Sequence, residues 1–279
     1  MFPPGSRRGA LHAQTPAVLV GAGDIASCQS PGDEATARLL DAIDGTVFTT
    51  GDNVYERGTD DEFANCYHPS WGRHRARTRP SVGNHEYYTP GAAGYFRYFG
   101  AAAGEPGLGY YSYDLGSWHV IVLNSNCRLI GCGPDSPQMQ WLRRDLDRSR
   151  AACTVAYWHH PRFSSGLHGS DPALQAMWQV LASAGVDVAL TGHDHLYERF
   201  APMDAQGRLD PHRGVRQFVI GTGGRSHYPF RTLAAHSEVR QSGTFGVLRL
   251  ELEAAGYAWE FIPEAGKSFR DIGTARCSQ

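Results

Sequence analysis

Five short motifs contain the side chains that could do chemistry together. In chain order they are Gly23-Asp24, Gly51-Asp52-Asn53-Val54-Tyr55, Gly83-Asn84-His85-Glu86, His159-His160-Pro161 and Gly192-His193-Asp194-His195. They supply carboxylate, phenol, amide and imidazole groups, which are donors that iron, zinc and manganese accept. Such a set predicts a site for two metal ions, and paired metals are typical of enzymes that cleave phosphate esters.

Two metal ions held a few ångströms apart need one donor that contacts both, and a carboxylate serves this purpose well. Asp52 is the best candidate because it follows a strand-like segment and lies between the other motifs in the chain. Asp24 and Tyr55 would then supply oxygen donors to one metal. The second metal would take one amide oxygen and two imidazoles, from Asn84, His159 and His193. His195 lies two residues beyond His193, so on an extended loop it would reach the neighbouring ion.

The elements that carry these motifs are predicted to be short buried strands. Apolar segments that end just before the motifs are residues 17–20, 46–50, 153–158 and 186–190. Helices are predicted from about residue 32, over 136–149 and over 172–184, and further strands over 110–113, 118–123, 215–220, 245–252 and 257–262. The alternation of strand and helix indicates a parallel or mixed sheet. Ligands converge at the carboxyl ends of strands in such sheets, so distant motifs would share one pocket.

The composition is that of an ordinary globular protein. The 279 residues are 41% hydrophobic and 19% charged, with a net charge of −2. This charge gives no reason to expect a nucleic-acid partner, and no apolar stretch is long enough to expect a membrane partner. We expect residues 1–16 to be disordered and residues 17–279 to form a single catalytic domain. No pattern in the sequence indicates the oligomeric state.

Six cysteines suggest disulfides, since none lies in a Cys-x-x-Cys spacing. Of the 15 possible pairings we favour Cys28–Cys66, Cys127–Cys132 and Cys153–Cys277; six reduced cysteines in a cytosolic enzyme are the alternative. Disulfides would place the protein outside the cell or in the periplasm. Residues 1–16 lack the apolar segment of a secretory signal. Either the natural start lies upstream, or the N-terminus was trimmed, or the protein is cytosolic.

The ordered motifs resemble those of the calcineurin-type metallophosphoesterases, and specifically their purple acid phosphatase-like branch. Many family members carry Asp-x-His in the first motif, whereas here Asp24 is followed by Ile25 and Ala26. The purple acid phosphatase branch instead uses a tyrosine three residues after the bridging aspartate, which is the place of Tyr55. The resemblance implies an α/β fold in which two mixed β-sheets pack as a sandwich flanked by helices. It also implies Fe3+ at Asp24, Asp52, Tyr55 and His195, with Zn2+, Mn2+ or Fe2+ at Asp52, Asn84, His159 and His193.

The expected reaction is hydrolysis of a small phosphorylated substrate, most simply a phosphate monoester. A metal lowers the pKa of bound water from 15.7 to about 7, and the resulting hydroxide would attack phosphorus. His85 or His168 would deliver a proton to the leaving alkoxide, with Glu86 orienting the His85 imidazole or raising its pKa. His168 falls where the resembled family has a histidine in contact with phosphate or leaving group.

Other groups have both a structural and a functional interpretation. Asn84 and His160 would also contact substrate, although His160 is equally well explained as a structural residue. The segment Gly221–His227 would either bring Arg225 and His227 to the phosphate or form a simple tight connection. Six aromatic residues between Tyr87 and Phe99 would mainly pack the loops, with a substrate cleft as the alternative.

Three other functions are alternatives to this one. A phosphodiesterase would use the same site, because access loops decide between the two reactions. A binding protein could keep the fold without catalysis, but every ligand position is filled. A zinc peptidase or lactamase-type hydrolase would need His-Glu-x-x-His or His-x-His-x-Asp-His, and neither occurs here.

Overall fold

The fold is seen in a computed structural model that describes residues 15–278. The disorder predicted for the N-terminus therefore falls, up to residue 14, outside the described residues. The strands are β1 (Ala17–Ala22), β2 (Thr46–Thr49), β3 (Thr78–Pro80), β4 (Tyr111–Leu115), β5 (Trp118–Val122), β6 (Cys153–Tyr157), β7 (Val188–Thr191), β8 (Tyr197–Phe200), β9 (Arg216–Ile220), β10 (Ser237–Gln241), β11 (Gly246–Glu253), β12 (Gly256–Pro263) and β13 (Ile272–Arg276). The helices are α1 (Gly32–Asp41), α2 (Asp60–Glu62), α3 (Ala93–Phe99), α4 (Cys127–Ile130), α5 (Pro137–Arg148) and α6 (Gln175–Ser183).

Further helical turns are mostly of the 3-10 type. They cover Trp71–Arg77, Glu86–Tyr88, Pro90–Ala92, Gly100–Ala103 and Pro172–Leu174, and a π-helical turn covers Phe63–Tyr67. Among the described residues, no helix combines the length and the apolar character needed to cross a bilayer.

The strands form two mixed sheets. One has the order β13-β12-β11-β1-β2-β3, and the other has the order β10-β8-β9-β7-β6-β5-β4. In the first sheet β1, β2 and β3 are parallel, and in the second β5, β6, β7 and β9 are parallel. The expected sandwich of two mixed sheets with flanking helices is confirmed.

Side chains alternate between two apolar layers. In β5, Val120 and Val122 belong to the layer between the sheets, whereas Ile121 belongs to a second layer on the outer face. In β6, Tyr157 and Ala156 divide in the same way. Successive strand residues point to opposite faces, so one continuous apolar run fills both layers.

Helices α5 and α6 cover the second layer with Met139, Leu142, Met177, Trp178 and Leu181. The start of α5 follows from its sequence, because the side chain of Ser136 accepts a hydrogen bond from Met139 N and Pro137 occupies the first helical position.

Three disulfides join the predicted partners: Cys28–Cys66, Cys127–Cys132 and Cys153–Cys277. The second closes a loop around α4, and the third ties the chain end beyond β13 to the start of β6. The predicted pairing is confirmed.

Candidate metal centre

The predicted ligands lie together at the carboxyl ends of parallel strands. Asp24 follows β1, Asp52 follows β2, and Asn84 follows β3 in the first sheet. In the second sheet His159 follows β6, and His193 with His195 follows β7. Hydrogen bonds join the two sheets here, from Gly23 N to Ile220 O at 2.9 Å and from His193 N to Asp24 Oδ2 at 2.8 Å. The sandwich therefore assembles one site from both sheets.

One carboxylate oxygen lies at the centre of this site. Asp52 Oδ2 is 3.1 Å from the phenol oxygen of Tyr55 and 3.2 Å from Nε2 of His159. On the tyrosine side, the same phenol oxygen lies 2.8 Å from Asp24 Oδ1 and 3.1 Å from His195 Nε2. Four predicted ligands therefore form one group, with Asp52 at its edge: Asp24, Asp52, Tyr55 and His195.

The second group lies on the other side of Asp52. His159 Nε2 is 3.0 Å from Asn84 Oδ1 and 3.2 Å from His193 Nδ1. The other ring nitrogen of His159, Nδ1, lies 2.8 Å from the carbonyl oxygen of Thr50. Because Nδ1–H donates to that carbonyl, the lone pair of the neutral ring lies on Nε2 and faces the cluster, an arrangement typical of metal-binding histidines.

The backbone is strained at three of these residues. Asp24, Asp52 and His193 have φ angles of 59°, 47° and 68°, in the left-handed region that residues other than glycine rarely adopt. Glycine at two positions allows the backbone to pass close to the carboxylates of Asp52 and Asp24. A Cβ atom at Gly83 would overlap the carboxylate of Asp52, and one at Gly192 would overlap that of Asp24. Such conformations concentrate at functional sites.

The charges of the cluster are unbalanced without a cation. Burial opposes ionisation of Asp52, but the imidazoles around it, His159 first, hold the pKa of this carboxyl well below its usual range. Burial, together with the charges of Asp24 and Asp52, raises the pKa of Tyr55 well above its usual value. For His159, burial lowers the pKa, yet the Asp52 carboxylate outweighs it and raises the pKa to about 9. A proton on His159 thus occupies the position that a cation would take.

These observations test whether two metal ions fit. Asp24, Asp52 and His159 each direct a ligand atom to a common point, with all three atoms within 4.8 Å of one another, and all three residues are buried. Asn84 Oδ1 and His193 Nδ1 both lie at about hydrogen-bond distance from His159 Nε2. Unpaired buried acceptors are costly unless a proton or cation lies between them. The donors fit two metal ions, one on each side of the Asp52 carboxylate.

Glu86 has a different role from the one expected. It is fully buried, and its carboxylate accepts hydrogen bonds from four backbone amides: Asp52 N at 3.1 Å, Asn53 N at 2.7 Å, Val54 N at 3.3 Å and Gly83 N at 2.6 Å. Burial first, and the charge of Asp52 second, raise the pKa of Glu86 to about 7. The expectation that Glu86 orients His85 is corrected, because the carboxylate is directed to these amides. Glu86 holds the loop that carries Asp52.

Three other histidines surround the cluster. His85 Nε2 is 3.9 Å from Asp52 Oδ2, and its Nδ1 lies 2.7 Å from the carbonyl oxygen of Glu56. His160 and His168 lie beside His193, with ring centroids 4.4 Å and 4.3 Å from it. Burial, and then the charge of His159, lower the pKa of His160 to about 3, so this ring is neutral.

The glycine-rich segment after β9 brings only one of its two candidate phosphate-binding residues to the cluster. The guanidinium carbon of Arg225 lies 5.2 Å from the ring centre of Tyr55, and Arg225 Nη2 pairs with Glu56 Oε1 at 2.5 Å. His227 instead stacks on Phe245 with centroids 4.1 Å apart. Within residues 15–278, His227 forms no hydrogen bond or ring contact with a predicted ligand.

Sequence reasoning missed the residues that support the ligands. The buried carboxylate of Asp194 accepts from Ser164 Oγ at 2.5 Å and from His168 N at 2.8 Å, so it holds the loop that presents His168. Tyr228 stacks on His195 with centroids 3.9 Å apart. In the sequence, Asp194 lies between two predicted ligands, and this position could have indicated its supporting role. No sequence pattern indicates a role for Tyr228.

Comparison with known proteins agrees with this geometry. Residues 12–197, about two thirds of the 279-residue chain, match the model of the calcineurin-like phosphoesterase family. Purple acid phosphatase 15 of Arabidopsis thaliana is 36% identical over 121 residues, which are 41% of this chain and 22% of that protein. Probable inactive purple acid phosphatase 9 of the same plant is 29% identical over 161 residues, 50% of this chain and 24% of that protein. The chain thus matches about a quarter of the length of these relatives.

The fold has a counterpart among solved structures. The purple acid phosphatase PPD1 from yellow lupin (Lupinus luteus) seeds superposes with a TM-score of 0.75. The superposition covers 95% of this chain and 54% of that one, at 19% sequence identity. At this identity the likeness establishes the fold.

Proposed function

The chain belongs to the calcineurin-like phosphoesterase family, and on that premise we propose that it hydrolyses phosphate monoesters at a dinuclear metal centre. The observation that carries the proposal is the position of Asp52 Oδ2, which lies between Tyr55 on one side and His159 on the other. A single bridging carboxylate between two donor groups is what a two-metal site needs. The proposal assigns residues 17–279 to one catalytic domain.

The two donor groups differ in chemistry, and this supports different metals. Asp24, Asp52, Tyr55 and His195 include a phenol that needs a strong cation to ionise it, which favours Fe3+. Asp52, Asn84, His159 and His193 offer neutral donors besides the shared carboxylate, which suit Zn2+, Mn2+ or Fe2+. When bound, the two ions would activate water and neutralise the charge that develops on the phosphate oxygens.

Residues around the ligands would handle the leaving group and the phosphate. Nδ1–H of His85 donates to the carbonyl of Glu56, so Nε2 faces Asp52 and the substrate side. From there it would transfer a proton to the leaving oxygen, a step that typically contributes 10²–10⁴-fold in rate. His168, held by Asp194 through its backbone, is the second candidate for this step. Asn84 would serve as both metal ligand and phosphate contact.

Two further residues would contact the phosphate, His160 as a neutral ring and Arg225 as a cation. Ser125 Oγ accepts from the backbone N–H of His160 at 2.9 Å and lies 2.8 Å from its Nδ1. If the hydroxyl donates to Nδ1, Nε2–H of the neutral ring would be a donor for a phosphate oxygen. Arg225 would leave Glu56 to bind an arriving phosphate. His227 packs on Phe245, so the proposal assigns it no phosphate contact.

The three disulfides support an oxidising location, either secreted or periplasmic, since disulfides persist there. A non-catalytic role is the second candidate function, because one plant relative carries the name of a probable inactive enzyme. Against it stands the complete donor set around Asp52.

The proposal is tested on one purified sample by elemental analysis, a visible spectrum and turnover of p-nitrophenyl phosphate. We expect close to two metals per chain, a tyrosinate–iron absorption band and turnover. Two metals and turnover without colour would replace iron by zinc or manganese at the Tyr55 position. A fully metallated protein that hydrolyses neither mono- nor diesters would refute the hydrolase and support the binding role.

A further inference from the structure

A cleft of about 630 Å³ opens beside two of the predicted ligands, Asn84 and His193. Its other walls include Tyr87, Tyr88, Arg128 and Leu129. Pockets of roughly 300–1,000 Å³ enclose whole small molecules, so this cleft has room for more than a phosphoryl group. The additional space must hold the part of the substrate that is attached to the phosphate.

The cleft exposes apolar surface. Tyr88 is 52% exposed and Leu129 is 63% exposed, and both lie in its lining. The aromatic residues near the cleft form two groups. Tyr95, Tyr98 and Phe99 pack together with ring centroids 5.0–5.3 Å apart, whereas Tyr87 and Tyr88 line the cleft. The exposed ring of Tyr88 and the exposed Leu129 side chain favour an apolar, planar partner.

The loop opposite Tyr88 is fixed in place. Arg128 and Leu129 belong to α4, a single turn whose loop is closed by the Cys127–Cys132 disulfide. The preceding residue, Asn126, is buried and donates to Asn124 Oδ1 at 2.9 Å. Asn124 in turn donates to the phenol oxygen of Tyr87 at 2.8 Å. The two walls are therefore connected, and a ligand meets a largely pre-formed surface.

Arg128 supplies a charge that nothing else uses. Its side chain is exposed, and it forms no ion pair or side-chain hydrogen bond within residues 15–278. The one carboxylate in the lining, Asp171, accepts a hydrogen bond from Ala173 N at 2.9 Å and caps a helical turn. Asp171 keeps its negative charge, but its carboxylate is engaged in this cap, so Arg128 is the charged side chain of the cleft that is left to pair with an anion.

We infer that this cleft, here called the leaving-group cleft, selects phosphomonoesters whose alcohol part carries an aromatic ring and a second negative charge. The ring would lie against Tyr88 and Leu129, and the charge would pair with Arg128. The inference rests on the proposed function, because the phosphoryl group is taken to bind at Asn84 and His193.

Binding of non-hydrolysable phosphonates tests this inference without relying on turnover. Calorimetry on the metal-loaded chain would compare methylphosphonate, benzylphosphonate and 4-carboxybenzylphosphonate. We expect the carboxybenzyl compound to bind at least about tenfold more tightly than methylphosphonate. Arg128→Ala should weaken only the carboxybenzyl compound, by about three- to fivefold. Leu129→Ala should weaken both benzyl compounds by about fivefold and leave methylphosphonate unchanged.

Matched variants control for surface changes. Arg148→Ala removes an exposed arginine of α5 that also forms no ion pair in the described part of the chain. Leu233→Ala removes a leucine that is 63% exposed, as Leu129 is. Neither residue lines the cleft, so neither change should alter any of the three affinities.

Turnover of p-nitrophenyl phosphate and of glycerol 2-phosphate, measured on the same samples, separates the two proposals. Selective phosphonate binding without turnover would refute the hydrolase and keep the cleft. Turnover with equal affinity for all three phosphonates, or with an Arg128→Ala variant that binds the carboxybenzyl compound like the wild type, would overturn the cleft and keep the hydrolase. Failure of all three compounds to bind would contradict both.

Discussion

Replacement of Glu86 by glutamine should loosen the loop that carries the bridging aspartate. Each carboxylate oxygen of Glu86 accepts from two backbone amides, Oε1 from Asn53 and Val54, and Oε2 from Asp52 and Gly83. A glutamine would turn its amide nitrogen towards one of these pairs and leave two buried donors without an acceptor. Each buried unsatisfied group costs about 1–3 kcal/mol, so the free energy of unfolding should fall by about 2–6 kcal/mol.

The assay compares thermal unfolding and metal content of the wild type and Glu86→Gln. For a chain of this size the expected loss lowers the unfolding midpoint by roughly 5–20 °C. Metal content should also fall, because Asp52 loses its support. Glu198→Gln is the matched control. Glu198 is equally buried, but two of its three donors are hydroxyls of Ser165 and Ser237, which can rotate to accept from the new amide.

The reasoning would be refuted if Glu86→Gln kept the wild-type midpoint and two metals per chain. If that variant also lost turnover, Glu86 would act in catalysis, as the sequence had suggested. If Glu198→Gln lost as much stability and metal as Glu86→Gln, loss of a buried charge would explain the effect rather than loss of the four amide contacts.

Three further predictions concern the ligands and their protons. Tyr55→Phe should keep the fold but abolish any tyrosinate–iron band, and a variant that stayed coloured would exclude Tyr55 as the iron ligand. His85→Ala should retain both metals and slow esters with poor leaving groups most, whereas an equal loss for all leaving groups would argue against proton transfer by His85. In the metal-free protein, His159 has a pKa of about 9 against an ordinary value of 6.5, so its stabilising effect is complete below pH 6.5 and is lost as the pH rises to 9. At about 1.4 kcal/mol per pH unit, the free energy of unfolding should fall by about 3 kcal/mol. Urea unfolding at pH 6 and pH 9 should show this fall when a chelator has removed the metals and not when the metals are bound. A free energy of unfolding that does not change with pH in the metal-free protein would contradict the assignment.

The central part of the fold could be predicted because its strands are continuous apolar runs. β1, β2, β5, β6 and β7 are largely buried, and each is followed within two residues by a polar residue or a glycine. The sequence therefore predicts that the motifs after β1, β2, β6 and β7 lie together at one edge of the sheets. The positions of the cysteines in loops and at the chain end favour the pairing that the structure has.

Other strands gave no comparable signal. β3 has three residues, and β10 and β13 lie at sheet edges with alternate residues exposed, including Ile272 at 65% exposure. Edge strands bury one face or less, so they lack an apolar run that can be recognised. β8 begins after the turn at His195 and pairs antiparallel with β9. This pairing depends on tertiary structure, so no local pattern indicates β8.

The candidate site was predictable in its residue types and less so in its supporting contacts. Glu86 follows His85 in the chain, yet its side chain points to amides more than thirty positions away in residues 52–54. Sequence adjacency does not determine side-chain direction, and the 3-10 turn at Glu86–Tyr88 sends neighbouring side chains to different partners. Stacking of Tyr228 on His195 likewise depends on contact between the loop after β9 and the loop after β7, which are distant in the sequence.

The most direct test of the central claim is the metal content of Asp52→Asn, measured together with its turnover of p-nitrophenyl phosphate. A shared carboxylate predicts a fall from about two metals per chain to one or none. It also predicts a loss of turnover that exceeds the roughly 10- to 100-fold typical of removing a residue that only supports a ligand. An Asp52→Asn protein with two metals and wild-type turnover would contradict the bridging role and with it the two-metal account.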